Sequence, residues 1–151
     1  MADSPVQFPE PASPGLSTRP ADDAAYLAYR SDLSSVRALV LSRARQAGLP
    51  EGRASDLVLA VSEVAANTLR HTGSAGTLAV WHDADEIVCE VRDAGIITDP
   101  RVGQVKPGLD APGGHGLWLV NQVCDRVEIT SGAGGTTVRM HMTLRRPEAA
   151  G

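Results

Sequence analysis

The stretch Glu63-Val64-Ala65-Ala66-Asn67-Thr68-Leu69-Arg70-His71 sets a carboxylate, an amide and an imidazole four residues apart within an otherwise apolar run. Residues i, i+4 and i+8 fall on nearly one face of an α-helix, so Glu63, Asn67 and His71 form a polar rail. A rail of that kind either faces solvent or serves a ligand, because polar groups buried without partners are costly. Leu57, Val58, Val61, Val64, Ala65 and Leu69 recur around it at helical spacing. They predict a helix that opens near Pro50 and Glu51 and closes at Thr72-Gly73.

Working outward, Tyr26 to Arg30 alternates as a short strand, and Ser31 or Asp32 offers a cap for a helix carrying Leu33, Val36, Leu39 and Val40. That helix ends at Gly48-Leu49-Pro50, a glycine and proline stop. After the rail the period switches from helical to alternating. Thr77 to His82 and Ile87 to Arg92 predict a hairpin around Asp83-Ala84-Asp85-Glu86. From Ile96 to Gly113 periodicity disappears and Pro100, Gly103, Pro107, Gly108 and Pro112 enter. A loop that long inside a compact domain is usually functional. Helical spacing returns at Leu117, Val120 and Val123, and strands over Val127–Ser131 and Thr136–Leu144 flank the glycine-rich turn at Gly132 to Gly135. Helices first and antiparallel hairpins after them give an α+β sandwich.

The chain has 151 residues, enough for one domain with a proper core. Aromatics make up only 3% of it, so Val, Leu, Ile and Ala must build that core. Five prolines, from Pro5 to Pro20, mark residues 1–20 as a flexible tail, with Val6 to Phe8 the stretch most suited to docking; the domain proper is expected over residues 21–146. The formal net charge is -4 and no long basic run occurs, which argues against direct nucleic-acid binding. No window is apolar enough for a membrane span, and the first residues lack the pattern of a signal peptide. Cys89 and Cys124 lie far apart and suit reduced, structural roles, so the cytoplasm is the expected location. His71, His82, His115 and His141 form no metal-ligand spacing with them.

Three further features bear on chemistry. Asp93, just past a strand, can accept a hydrogen bond from an exocyclic amine, and Gly95 lets a planar ring approach the backbone. Gly113-Gly114-His115-Gly116-Leu117 opens a helix, where exposed N–H groups and the positive end of the dipole suit phosphate. Gly134-Gly135-Thr136 leads into the final strand.

In this order, Glu-x-x-x-Asn on a helix, Asp-x-Gly after a strand, Gly-x-Gly at a helix start and Gly-Thr before a last strand, the chain resembles the GHKL (Bergerat-fold) ATPase family from about Tyr26 to Leu144. Within it the helix motif Glu63 to His71 and the stretch Gly116-Leu117-Trp118-Leu119-Val120-Asn121-Gln122-Val123-Cys124-Asp125 look most like anti-sigma-factor serine/threonine kinases. The resemblance implies a two-layer α/β sandwich with a mixed, mostly antiparallel sheet and helices on one face. It implies ATP and Mg²⁺, with Asn67 as the metal ligand and Glu63 as the catalytic base. Asp93, Gly95 and Thr136 would meet the adenine, and Gly114, His115, Gly116 and Leu117 the phosphates. Residues 96–113 would be the lid. A sigma factor and an anti-sigma antagonist are the implied partners, and homodimerisation is common among such proteins.

The match departs from the family at two places. Ile97 stands where the Asp-x-Gly box usually continues to a second glycine, and Pro112 and His115 occupy the neighbourhood where relatives often carry an arginine. An imidazole, mostly neutral at pH 7, stabilises charge on a transferring phosphoryl group less well than guanidinium does. Two functions are therefore expected from the sequence: a protein kinase acting on an antagonist, or a non-catalytic nucleotide-binding or nucleotide-independent partner-switching module.

Overall fold

The computed structural model describes residues 24–72, 75–93, 115–132 and 134–144, with the side chains of 70–72 and 115–117 outside that description. The tail over 1–20, the lid over 96–113, Gly95 and Gly114 lie outside the described residues.

Local sequence accounts for each element. Strand β1 (Ala25–Tyr29) alternates half-buried and exposed positions. Helix α1 (Ser34–Ala47) has Leu33, not the expected Ser31 or Asp32, at its N-cap, with no side-chain cap bond; the Asp32 carboxylate accepts instead from the Ser34 N–H at 2.9 Å and the Ser34 hydroxyl at 2.6 Å. It stops at Gly48, whose φ of 89° lies in the left-handed region and whose N–H closes the last turn on Ala44 and Arg45. Such a φ strains any residue bearing a Cβ. Helix α2 (Glu51–Thr72) is the expected helix, with Leu57, Ala60, Val61, Val64 and Ala65 buried along one side.

Strands β2 (Gly76–His82) and β3 (Glu86–Asp93) form the hairpin, and the Asp83 carboxylate accepts from the N–H groups of Asp85 and Glu86 in its turn. Helix α3 (His115–Val123) then leads to β4 (Arg126–Gly132) and β5 (Gly135–Thr143). The five strands lie in the order β1-β2-β3-β5-β4, and every pairing is antiparallel. The sheet expected as mixed and mostly antiparallel is, among the described residues, antiparallel throughout, and β5 inserts between β3 and β4.

The three helices among the described residues pack on one face of this sheet. Leu78, Val80, Ile87, Cys89, Val91, Met140 and Met142 point into that layer and meet α1 and α2 in one core. Each fully buried aliphatic side chain there contributes about 1.5–3 kcal/mol. The other face carries a smaller cluster of Ala79, Trp81 and Val88, beside a buried ion pair in which Arg139 Nη2 donates to Glu90 Oε2 at 2.6 Å. Arg139 also lies 5.1 Å from the centre of the Trp81 ring, a cation–π distance. Next to it, His141 is held between Glu86 at 3.2 Å and Glu128 at 2.6 Å.

Candidate functional site

Register across the sheet gathers polar residues at one end of the helix-facing side. Tyr29 pairs with Gly76, Thr77 with Arg92, Asp93 with Thr136, and Ser131 with Thr136. Gly76 precedes Thr77, so it stands beside Asp93. The result is a row, Tyr29–Gly76–Asp93–Thr136–Ser131, running across all five strands. Residues directly opposite in antiparallel strands share a face and approach within side-chain reach.

Helix α2 roofs this row. Val64 and Thr68, four residues apart, continue the buried side of the helix to its C-terminal end, so Thr68 points down at the sheet. The Thr68 hydroxyl is about 3.4 Å from the Val64 carbonyl and donates at 2.8 Å to Asp93 Oδ2. One proton serves one acceptor well, and the shorter bond to a charged oxygen is the stronger. Beyond Asp93, the Ser131 and Thr136 hydroxyls share a bond of 2.7 Å, with Thr136 buried. A carboxylate offers about four acceptor directions, and Thr68 uses one while fixing the plane of the group.

Glu63 and Asn67 sit one residue round the helix from Val64 and Thr68. That rotation of about 100° places them at the margin of the buried side, and both are half-buried. The rail is therefore neither in the core nor fully in solvent. His71 continues it in the backbone. Of the expected site residues, the fold brings Asp93 and Thr136 together and sets the Glu63–Asn67 rail on the helix that touches Asp93. His115, Gly116 and Leu117 form the first turn of α3, as a helix-start glycine motif requires, and α3 packs against α2. Gly95 and Gly114 fall outside the described residues.

Tyr29 forms the far end of the row. Burial pushes its phenol up to about 12, and the negative charge of Asp93 adds to this. Thr68 is near enough to oppose the rise in part, yet the hydroxyl meets no hydrogen-bond partner at bonding geometry.

A second cluster holds the site's framework. Arg53, near the start of α2, donates to Asp125 Oδ2 at 2.7 Å and to the Thr143 carbonyl at 3.0 Å. The same Asp125 oxygen accepts from the Thr143 N–H at 2.7 Å. Burial alone would raise the Asp125 carboxyl, but the Thr143 and Arg53 hydrogen bonds outweigh it and hold it below its ordinary value. The cluster ties α2, the turn after α3 and the end of β5 at one point.

Sequence reasoning overlooked Thr68, Ser131 and Tyr29. A signal for Thr68 existed: it shares the helix side of Val61, Val64 and Ala65, where a hydroxyl needs a partner. Ser131 and Tyr29 became visible only through strand register. Among the described residues no cluster of His, Cys, Asp and Glu could hold a metal on side chains alone. The site offers instead the fixed Asp93 carboxylate, the Thr68, Thr136 and Ser131 hydroxyls and the half-buried Asn67 carboxamide. This set suits an amine-bearing ring together with a hydrated hard cation.

Comparison with known proteins agrees with this fold. A search among curated proteins gives no match. Among solved structures the chain is similar to the RsbU and RsbW domains of Rv1364c from Mycobacterium tuberculosis, with a TM-score of 0.61 and 20% sequence identity. The similarity covers 82% of this chain but only 32% of that one, and at this identity it establishes a shared fold. The model of the histidine kinase-like ATPase domain matches residues 28–142, taking in the rail, Asp93, the α3 start and Thr136. The chain belongs to the histidine kinase-like ATPase domain family.

Proposed function

We propose that the protein binds ATP with Mg²⁺ and acts as a regulator of the anti-sigma-factor kinase type, transferring phosphate to a serine or threonine of an antagonist protein and sequestering a sigma factor. The observation that carries the reading is the Thr68–Asp93 hydrogen bond. It fixes a carboxylate acceptor at the end of the sheet, beside the Thr136 hydroxyl and beneath the helix bearing Glu63 and Asn67.

In this reading Asp93 accepts from the exocyclic amine of adenine, and Thr136 contacts the same ring. Gly95 lies under the ring, and the N–H groups at Gly114, His115, Gly116 and Leu117 meet phosphate oxygens. Asn67 holds Mg²⁺ through its carboxamide oxygen, and the ion, when bound, neutralises charge on the phosphates. Glu63 Oε takes the proton of the attacking hydroxyl from its half-buried place on α2. Residues 96–113 close over the triphosphate. The domain itself spans residues 21–146, after a tail of 20. The solved structure is titled for RsbU and RsbW domains, which supports a partner-switching role. A homodimer, a cytoplasmic location and no direct contact with nucleic acid or membrane complete the proposal. No described helix is long and apolar enough to cross a membrane.

A second reading is favoured by one sequence observation, the replacement of a lid-hinge glycine by Ile97 and of a phosphate-loop arginine by Pro112 or His115. It keeps nucleotide binding, or the partner surface alone, and drops transfer. Calorimetric titration with Mg-ATP on the wild type, Asp93→Asn and Asn67→Ala tests the site; equal affinities in all three would remove it. Labelled ATP with candidate antagonists then separates the readings. Label on the antagonist that vanishes in Glu63→Ala supports the kinase, and binding without label supports the module.

A further inference from the structure

The pairing of Tyr29 with Gly76, and of Asp93 with Thr136, leaves the row with a gap: Gly76 has no side chain between Tyr29 and Asp93. An ideal Cβ on Gly76 would fall 2.6 Å from Tyr29 Cζ and directly against the hydroxyl oxygen, so the phenol lies across the glycine, toward β3. Tyr29 is 4% exposed, and its buried oxygen lies near the Thr68 hydroxyl without meeting a partner at bonding geometry. A buried, unsatisfied hydroxyl costs free energy that phenylalanine in the same volume would avoid.

We propose that Tyr29 is a positioning residue for the Asp93 carboxylate, its hydroxyl reaching through the space left by Gly76 to the corner where Thr68 already holds that carboxylate. This rests on the reading of Asp93 as the acceptor for an adenine amine. The hydrogen bond from the Tyr29 O–H to the carboxylate is unmade in the free protein and closes when a ligand amine draws Asp93 into register. Its free energy then appears in affinity and not in the stability of the ligand-free fold. Thr68 from the helix and Tyr29 from the far strand would bracket the carboxylate from two directions, leaving it one orientation in the complex.

The test compares two quantities on the full chain carrying Tyr29→Phe: ligand-free thermal stability and affinity for Mg-ADP by calorimetry. The expected result is a melting temperature at or above wild type with affinity lowered roughly tenfold, the loss of one hydrogen bond to a charged group. A purely structural tyrosine would instead lower the melting temperature and leave affinity within twofold, and that outcome overturns the proposal. Gly76→Ala, which fills the gap and displaces the phenol, is expected to weaken Mg-ADP at least as much; if it does not fold, Tyr29→Phe alone decides. Wild type that binds no Mg-ADP overturns the nucleotide reading and this inference together. Wild type that binds, Asp93→Asn that does not, and Tyr29→Phe that binds like wild type overturn this inference alone.

Discussion

Thr68 shows how one hydroxyl converts a helix end into part of a site. Its oxygen donates to Asp93 at 2.8 Å from a position that the helical period assigns to the core. Thr68→Val keeps the shape and removes the donor. The expected result is a stability loss of about 1–3 kcal/mol in urea denaturation, because a partly buried carboxylate loses a charge-assisted bond. Mg-ATP affinity should fall with it in calorimetry. On the opposite face, Arg139 and Glu90 are both fully buried and joined at 2.6 Å. Arg139→Met leaves the buried Glu90 charge only its longer contact with Arg92 at 3.2 Å and should cost about 3 kcal/mol, whereas Glu90→Leu combined with Arg139→Met should recover most of it. Chemical denaturation of the two variants checks both numbers. At this scale residue type and spacing single out Glu63, Asn67 and Asp93 as candidates, and Thr136 enters only through the family resemblance. Tyr29 and Ser131 stayed hidden, because their place depends on which strands pair and at what register.

Elements were the most legible level. The helix over Glu51–Thr72 and the hairpin of β2 and β3 follow from apolar period and turn chemistry, and observed strand ends differ from the expected ones by at most one residue. The insertion of β5 between β3 and β4 was not legible, since it is a long-range choice made by side-chain packing on both faces. Helix α1 illustrates a boundary the sequence did fix. Gly48 ends it with φ at 89° and nothing within 4 Å of where a Cβ would stand. Space is therefore not the issue, and the backbone conformation is. Gly48→Ala should cost about 1 kcal/mol and lower the melting temperature by several degrees.

For the whole molecule, titrating groups bound the range of pH in which the fold is stable. Asp125 sits below its ordinary 3.8, because hydrogen bonds from Thr143 and Arg53 outweigh burial, and Asp83 sits below it through the Asp85 and Glu86 N–H groups. A depressed carboxyl contributes stability above its unfolded value and loses it as pH falls through the folded one. The buried thiols run the other way. Burial raises Cys89 well above its ordinary 9.0 and pushes Cys124 up to about 12, as it does Tyr29. Groups kept neutral by burial give stability that is complete below their unfolded values and is lost as pH rises through the folded ones. Stability measured by denaturant midpoint should thus hold a plateau between about pH 4 and 9 and fall on both sides. Native protein should react slowly with a thiol reagent at pH 8 at both cysteines, and quickly once unfolded.

Strand β5 gives two chemistries to alternate residues: Thr136, Val138, Met140 and Met142 turn toward the helices, and Thr137, Arg139 and His141 turn away. Odd and even positions therefore have opposite fates. Loss of a single residue from the Gly132–Gly135 connection, if it slid β5 by one step along β3, would exchange them. Arg139 would be driven among Val91 and Val64, and Thr136 would leave the side of Asp93. The eight pairs between β5 and β3, and not the length of that short turn, must therefore hold the register, which links the Asp93 corner to the ion pair on the far side of the sheet.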